Sequence, residues 1–285
     1  MYHAKMRQCG FTVFDHRVHE ELTSRARIEL LSQLRRAIET RELTVVYQPQ
    51  VRLSDGRVVG VEALVRWEHS ERGLLLPHQF LPLARHNNMM QGLTEVVVEL
   101  VLQDSARWQT LGYSLPVAIN LPPSAFADTD LPARVAAALH RHAVEAGSLA
   151  VEITEDFVLA NRDLARTVLT RLRDMGIRIS IDDFGSGQTS LHYLRELPIH
   201  EVKLDRSFTA AITTDPISAA IVRSVIDVSR ALGLTVVAEG VESHAHTAAL
   251  SRCGCHVVQG HYYSPPVATA ELLRWIDGRT ATHSA

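Results

Sequence analysis

The chain has 285 residues, of which 46% are hydrophobic and 21% are charged, and its formal net charge is −3. This composition is typical of a globular protein with a sizeable core, and the charge excludes the basic surface that duplex nucleic acid or an anionic membrane would require. No apolar run is long enough for a transmembrane helix, and the N-terminus lacks the apolar segment of a signal peptide. Three cysteines do not make a disulfide framework, so we expect a cytoplasmic protein.

The first 40 residues differ from the rest of the chain. Apolar residues at helical spacing predict a long amphipathic helix over residues 22–38, and residues 10–15 are compatible with a short strand. From residue 43 onward, β-rich runs alternate with helical patterns. The predicted strands are 43–51, 59–66, 115–121, 149–154, 177–182, 200–204, 234–239 and 255–259. The predicted helices include 93–110, 131–144, 162–175, 214–231, 243–252 and 268–277.

About eight strands in roughly 240 residues, most of them followed by a helix, predict an α/β fold, a TIM-like (β/α)8 barrel. The connection between the first two strands is short and contains Ser54-Asp55-Gly56. Such a loop is typical of a hairpin, so we expect the first strand to run antiparallel to the second.

Polar residues interrupt or follow the apolar runs at the predicted ends of these strands, where a barrel collects its functional side chains. They are Glu62, Arg66, Asn120, Glu152, Glu155, Asp182, Asp183, Lys203, Asp205, Glu239, Glu242 and Gln259. Buried carboxylates without a counter-charge are costly, and an all-oxygen ligand set selects Mg²⁺ or Mn²⁺ over zinc. The number of carboxylates favours two ions about 4 Å apart, an arrangement suited to attack on a phosphodiester. The alternative is a set of ion pairs, for which basic residues are sparse.

The two adjacent carboxylates of Asp182 and Asp183 come where a buried strand gives way to a turn containing Gly185 and Gly187. Neighbouring strand residues point to opposite sides, so both can face one ion only if the second aspartate leaves the strand conformation. The alternative is an Asx-turn that caps the next helix.

Lys203 is one of only two lysines among 29 basic residues. An arginine would serve equally well as a surface charge, whereas a compact ammonium among carboxylates cannot be replaced by a guanidinium. We therefore expect a specific role for Lys203. Cys253 and Cys255 have neither a CxxC nor a zinc spacing, which favours a structural role.

Several motifs together resemble the EAL-domain family of cyclic di-GMP phosphodiesterases over residues 40–278. They are Tyr47-Gln48-Pro49-Gln50-Val51, Glu62-Ala63-Leu64-Val65-Arg66-Trp67, Asn120-Leu121, Glu152-Ile153-Thr154-Glu155, Asp182-Asp183-Phe184-Gly185, Lys203-Leu204-Asp205, Ala238-Glu239-Gly240-Val241-Glu242 and Gln259-Gly260. The resemblance implies a TIM-like barrel with an antiparallel first strand.

The resemblance also implies hydrolysis of cyclic di-GMP to linear pGpG with two Mg²⁺ or Mn²⁺ ions. The implied metal ligands are Glu62, Asn120, Glu152, Asp182, Asp183 and Glu239. The implied catalytic residues are Glu62, Lys203, which would orient water or neutralise charge, and Glu239, the family's usual candidate base. Residues implied to contact substrate are Gln48, Leu64, Arg66, Asp205 and Gln259, and residues implied to support the loop or the ligands are Glu155, Gly185, Gly187 and Glu242.

Residues outside the barrel resemble part of a longer signalling protein. Residues 1–16 are similar to the end of a GGDEF domain, 17–40 would form a linker helix, 41–278 the barrel, and 279–285 a C-terminal tail. The resemblance implies a homodimer, with upstream GGDEF and sensory domains that could tether it to a membrane. Gln188 replaces a tyrosine usual in the family. Two alternatives remain open: a receptor that binds cyclic di-GMP without cleaving it, and a phosphodiesterase for another substrate.

Overall fold

The structure is a computed structural model that describes residues 16–40, 42–154, 162–185 and 194–283. The strands in this part of the chain are β1 (Leu43–Arg52), β2 (Val58–His69), β3 (Gly73–Leu75), β4 (Val117–Asn120), β5 (Leu149–Thr154), β6 (Arg178–Phe184), β7 (Glu201–Leu204), β8 (Thr235–Ala238) and β9 (Val257–Gln259). The α-helices are α1 (His16–Thr40), α2 (Pro77–His86), α3 (Met90–Thr110), α4 (Leu131–His142), α5 (Arg162–Asp174), α6 (Arg206–Ala211), α7 (Pro216–Ala231), α8 (His244–Arg252) and α9 (Thr269–His283).

Eight of the strands close into a barrel. The order of pairing is β1-β9-β8-β7-β6-β5-β4-β2, and β1 closes the ring by pairing with β2. The strand β1 runs antiparallel to both β2 and β9, and the other neighbouring pairs within the barrel are parallel. The strand β3 lies outside the ring as an antiparallel partner of β2. The predicted TIM-like barrel and its antiparallel first strand are confirmed.

Alternation along the strands separates an apolar layer from a polar barrel interior. In β5, Val151 and Ile153 are almost fully buried, and so are Val168 and Leu172 on the apolar face of α5. The intervening residue Glu152 points the other way, because its carboxylate reaches a side chain of β7 across the barrel. The strands therefore pack their apolar face against the helices and direct polar side chains inward.

The helix α1 packs on the outside of the barrel. Its residues Leu34 and Ala37 are fully buried in the common core, and Oε1 of Gln33 lies 2.9 Å from Nε2 of His69 at the end of β2. The helix predicted over residues 22–38 is confirmed. No helix in the described part of the chain has the length and apolar character needed to cross a membrane.

Three short elements were not predicted, namely β3, α2 and α6. The helix α2 contains Pro82 in its interior and Pro77 in its first turn, and an internal proline normally argues against a helix. The strand β3 has only three residues and α6 only six, too few to show a period. The strand proposed for residues 10–15 lies outside the described residues.

Candidate active site

A single buried lysine lies at the centre of the acidic residues. The side chain of Lys203 in β7 has no exposed surface. Its Nζ lies 2.7 Å from Oε1 of Glu239, 2.8 Å from Oε2 of Glu152, 3.1 Å from Oε2 of Glu62 and 3.3 Å from Oδ1 of Asp182. These five residues form what we call the Lys203 cluster, and they come from five different strands or strand ends that only barrel closure brings together.

Amide side chains fix the orientation of Glu62. Nδ2 of Asn120 donates to Oε1 of Glu62 at 2.8 Å, and Nε2 of Gln259 donates to Oε2 at 2.6 Å. Gln259 also donates to Oε1 of Gln48, whose own Nε2 donates to the carbonyl of Ser264 at 3.2 Å. Sequence reasoning did not predict the contact with Ser264, because a backbone carbonyl leaves no side-chain signal.

The second of the paired aspartates leaves the extended conformation. Asp183 has a φ of +55°, and the pairing of β6 with β7 shifts register between Ile181 and Phe184. This left-handed residue brings the two carboxylates together, and ligand atoms of Asp182, Asp183 and Glu239 lie within 4.8 Å of one another. The expectation that Asp183 departs from strand geometry is confirmed.

The turn after these aspartates requires a glycine. Gly185 has a φ of +95°, and a Cβ at this position would overlap the ring of Phe208 in α6. A glycine satisfies both conditions, because it lacks a Cβ and adopts positive φ without strain. Gly185 therefore lets the chain pass close to α6 while it holds Asp183 in place.

Burial and charge shift the pKa values of the cluster in opposite directions. Burial raises the pKa of Glu239 to about 8 and that of Glu152 well above its usual range, against the lowering effect of Lys203. Burial also raises the pKa of Asp183, with a further contribution from Asp182. For Glu62, burial is outweighed by Lys203 and by the amide hydrogen bonds, and its pKa is lowered. The carboxylates collectively raise the pKa of Lys203 against its own desolvation. Lys203 therefore keeps its positive charge. Glu152, Asp183 and Glu239 keep pKa values above their usual range even beside this ammonium.

The donor set fits divalent cations that prefer oxygen ligands. The four carboxylates of the Lys203 cluster and Asp183 face a single ammonium, so the formal charge is strongly negative. Oε1 of Glu152 is buried and accepts no hydrogen bond from the described residues. A hard cation would compensate both the excess charge and this unpartnered oxygen. The Nδ2 group of Asn120 donates a hydrogen bond to Glu62, which leaves the side-chain carbonyl oxygen of Asn120 as a further oxygen ligand for a cation.

The remaining predicted residues fall into two groups. Leu64 and Arg66 are half-buried on β2 beside Glu62, and burial lowers the pKa of the Arg66 guanidinium. Asp205 caps α6, with its Oδ1 accepting from the amide of Ser207 at 2.9 Å. The structure thus gives Asp205 a structural contact, and its contact with substrate stays a prediction.

Other predicted residues lie at the edge of the site or beyond the described ranges. Glu242 is exposed after β8. Glu155, Gly187 and Gln188 lie outside the described residues, and their roles stay predictions. Cys253 and Cys255 are buried, in agreement with a structural role, and burial raises the pKa of the Cys255 thiol to about 11.

The fold and the site define the class. A closed barrel with one antiparallel strand carries, at one end, an oxygen-rich centre built around a buried lysine. The profile of the EAL domain matches residues 31–266, and the chain belongs to the EAL domain family.

Relatives of known name support this assignment. The chain is 38% identical over 275 residues to the bifunctional diguanylate cyclase/cyclic di-GMP phosphodiesterase MucR of Pseudomonas aeruginosa, which covers 96% of this chain and 40% of that protein. It is 35% identical over 248 residues to the cyclic di-GMP phosphodiesterase PA2567 of the same species. This match covers 87% of this chain and 42% of that protein. The chain therefore spans less than half the length of these relatives.

Solved structures show the same fold. A complex of the PaMucR phosphodiesterase with c-di-GMP superposes with a TM-score of 0.81 at 40% identity, covering 86% of this chain and 99% of that one. The EAL enzyme Bd1971, bound to cAMP and cyclic di-GMP, gives a TM-score of 0.82 at 30% identity. This match covers 89% of this chain and 70% of that one.

Proposed function

We propose that the chain hydrolyses cyclic di-GMP to linear pGpG. Family membership and the names of its relatives support the substrate class. The observation that carries the proposal is the Lys203 cluster, which gathers four carboxylates from separate strands around one ammonium, with the carboxylate of Asp183 close to two of them.

We propose two Mg²⁺ or Mn²⁺ ions as cofactors. Glu62, Asn120, Glu152 and Asp182 would hold one ion, and Asp182, Asp183 and Glu239 the other. When bound, such ions lower the pKa of water and neutralise charge on a phosphodiester. The geometric support is the close approach of Asp182, Asp183 and Glu239.

The chain's own residues would then handle protons and orientation. Lys203, held in its charged form by its neighbours, would donate a hydrogen bond to a phosphoryl oxygen as negative charge develops there. Glu239, whose Oε1 lies 2.7 Å from Nζ of Lys203, is the candidate to accept a proton from the attacking water. Gln259 and Asn120 would keep the carboxylate of Glu62 fixed while substrate enters.

Substrate contacts are proposed for residues at the rim. The Arg66 guanidinium would bind a phosphate through its two parallel N–H groups, and Leu64 and Gln48 would line the cleft beside it. Asp205 would contribute only if its carboxylate kept one oxygen available while capping α6. Gln259 is held by Glu62 and Gln48, so we assign it mainly to positioning.

The test compares two glutamates of the same strand. Purified chain is incubated with cyclic di-GMP and Mg²⁺, and pGpG is quantified by chromatography with and without a chelator. Glu62→Gln should reduce the rate by at least about 100-fold, as expected for loss of a buried ligand position. Glu68→Gln changes an exposed residue of β2 and should leave the rate unchanged.

The outcomes separate the alternatives. Tight binding of cyclic di-GMP without pGpG would identify a receptor, and preferential turnover of another phosphodiester would identify a different substrate.

Homodimerisation, upstream GGDEF and sensory domains, and a cytoplasmic location are further proposals from the family resemblance. Light scattering on the purified chain tests the first of these.

A further inference from the structure

A polar cavity lies in the barrel between the Lys203 cluster and the N-terminal ends of the parallel strands. Its volume is about 250 Å³. TIM-type barrels normally fill this space with bulky branched side chains. Here the wall includes four small residues and one glutamate. Each lies two positions before a residue of the candidate site on the same strand; they are Gly60, Ala118, Ala150, Ser180 and Glu201.

One hydrogen-bond donor in the cavity wall has no acceptor among the described residues. Gln50 is 6% exposed, and its Nε2 makes no hydrogen bond within the described residues. Burying an amide N–H₂ without a partner is costly, so this group indicates that an acceptor belongs in the cavity.

A loose ion pair lies on the opposite wall of the cavity, because β6 and β7 are three to four strands away from β1 around the ring. Nη2 of Arg178 and Oε2 of Glu201 are 3.7 Å apart, which is beyond hydrogen-bonding distance. The Arg178 side chain is 44% exposed and the Glu201 side chain 15% exposed, so the guanidinium lies towards solvent and the carboxylate towards the interior. Burial raises the pKa of Glu201, against the lowering effects of Arg178, Lys203 and a hydrogen bond with Ser180. Arg52 also lines the cavity but is held by Asp55.

We propose that this cavity binds a small zwitterion of the α-amino-acid class, with its carboxylate against Arg178 and Gln50 and its ammonium against Glu201. A carboxylate supplies an acceptor for the Gln50 amide, and an ammonium supplies a second cation for Glu201, whose contact with Arg178 is longer than a hydrogen bond. A simple anion would satisfy only Arg178 and Gln50, and a simple amine would satisfy only Glu201. The volume accommodates a molecule of this size.

The site is distinct from the candidate active site but shares its strands. Because side chains alternate, the residues that face the cavity and those that face the Lys203 cluster lie two apart on β2, β4, β5, β6 and β7. A ligand in the cavity would therefore rigidify the strands that carry the candidate metal ligands. The binding proposal does not rest on the proposed hydrolysis, and it can be tested in chelator without substrate.

The experiment is isothermal titration calorimetry of the purified chain with each common α-amino acid, with acetate and methylammonium as single-charge controls. We expect at least one amino acid to bind with one site per chain, and both controls to bind at least about tenfold more weakly. Glu201→Gln and Arg178→Gln should each weaken binding by roughly tenfold to a hundredfold. Arg173→Gln, which alters an exposed arginine paired with Asp174 on α5, should not.

Three results would overturn the proposal: no saturable binding of any amino acid, binding that Glu201→Gln and Arg178→Gln leave unchanged, or equal binding of acetate. If circular dichroism shows that one of these variants does not fold, Gln50→Met replaces it. Because Nε2 of Gln50 makes no hydrogen bond to a described residue, this change should preserve folding and weaken binding at least about threefold. Unchanged affinity in Gln50→Met would also contradict the proposal.

Discussion

Replacing Lys203 with methionine tests the balance of charge in the barrel. Methionine approximates the length and volume of the lysine stem but has no charge. The four carboxylates within 3.3 Å of Nζ would then lose their shared cation. All are mostly buried, so water would not replace it.

The expected loss of stability is large. Removing one partner of a buried ion pair costs roughly 3–5 kcal/mol, and four carboxylates share this ammonium, so we expect about 5 kcal/mol at neutral pH. A domain has only about 5–15 kcal/mol of unfolding free energy, so the variant should be marginally stable. Mg²⁺ at about 100 times its dissociation constant should restore about 2.7 kcal/mol.

Acid should also restore stability, because the buried carboxylates of the folded variant take up protons more readily than those of the unfolded chain. Without Lys203, the folded-state pKa values of the buried carboxylates lie above their unfolded value of about 4.3. The folded variant then binds more protons than the unfolded chain, so its stability rises as pH falls from neutrality towards that value.

The assay is urea unfolding followed by circular dichroism, in chelator and in Mg²⁺, at several pH values. Arg173→Met, which removes an exposed cation, is the control and should change stability by no more than about 0.5 kcal/mol. A loss below about 1 kcal/mol for Lys203→Met, or a loss that neither Mg²⁺ nor acid reduces, would refute the assignment of Lys203 as the shared counter-charge.

Two further predictions concern the frame of the barrel. Gly260→Ala should destabilise the fold by roughly 2 kcal/mol, since a Cβ would overlap the backbone of Val241, whereas Gly278→Ala has open space around it and should not; chemical unfolding of both variants checks this. Burial, helped by nearby arginines, lowers the pKa of His200, whose Nδ1 accepts from the amide of Ile179 at 3.1 Å. The unfolded chain therefore binds more protons, so stability should fall as pH drops below about 6.5, and His200→Asn should reduce that slope in urea unfolding. An unchanged slope would contradict this interpretation.

The sequence was most informative where a pattern was local and repeated. The alternation of short apolar runs with helical periods predicted the barrel, and the Ser54-Asp55-Gly56 hairpin predicted its antiparallel first strand. The glycine turn after Asp183 likewise indicated that this residue leaves the strand, which its positive φ confirms. Each of these features depends on residues close together in the chain.

Features that depend on barrel closure could not be read in the same way. The scarcity of lysine singled out Lys203, but no spacing shows that Nζ reaches carboxylates on four other segments. The capping of α6 by Asp205 was not predicted, although an aspartate immediately before a helix is a recognisable N-cap; its contact with substrate stays a prediction. The lower cavity was invisible, because Gly60, Ala118 and Ala150 are ordinary strand residues until the strands close around one axis.

The central claim is that the acids around Lys203 hold two hard divalent cations. Anomalous diffraction from crystals grown with Mn²⁺ tests it most directly. We predict two manganese peaks, both within bonding distance of Asp182, one beside Glu62 and Glu152 and the other beside Asp183 and Glu239. The account would be contradicted by crystals grown with Mn²⁺ that show no manganese peak beside Asp182. In that case all four carboxylates would still contact Nζ of Lys203.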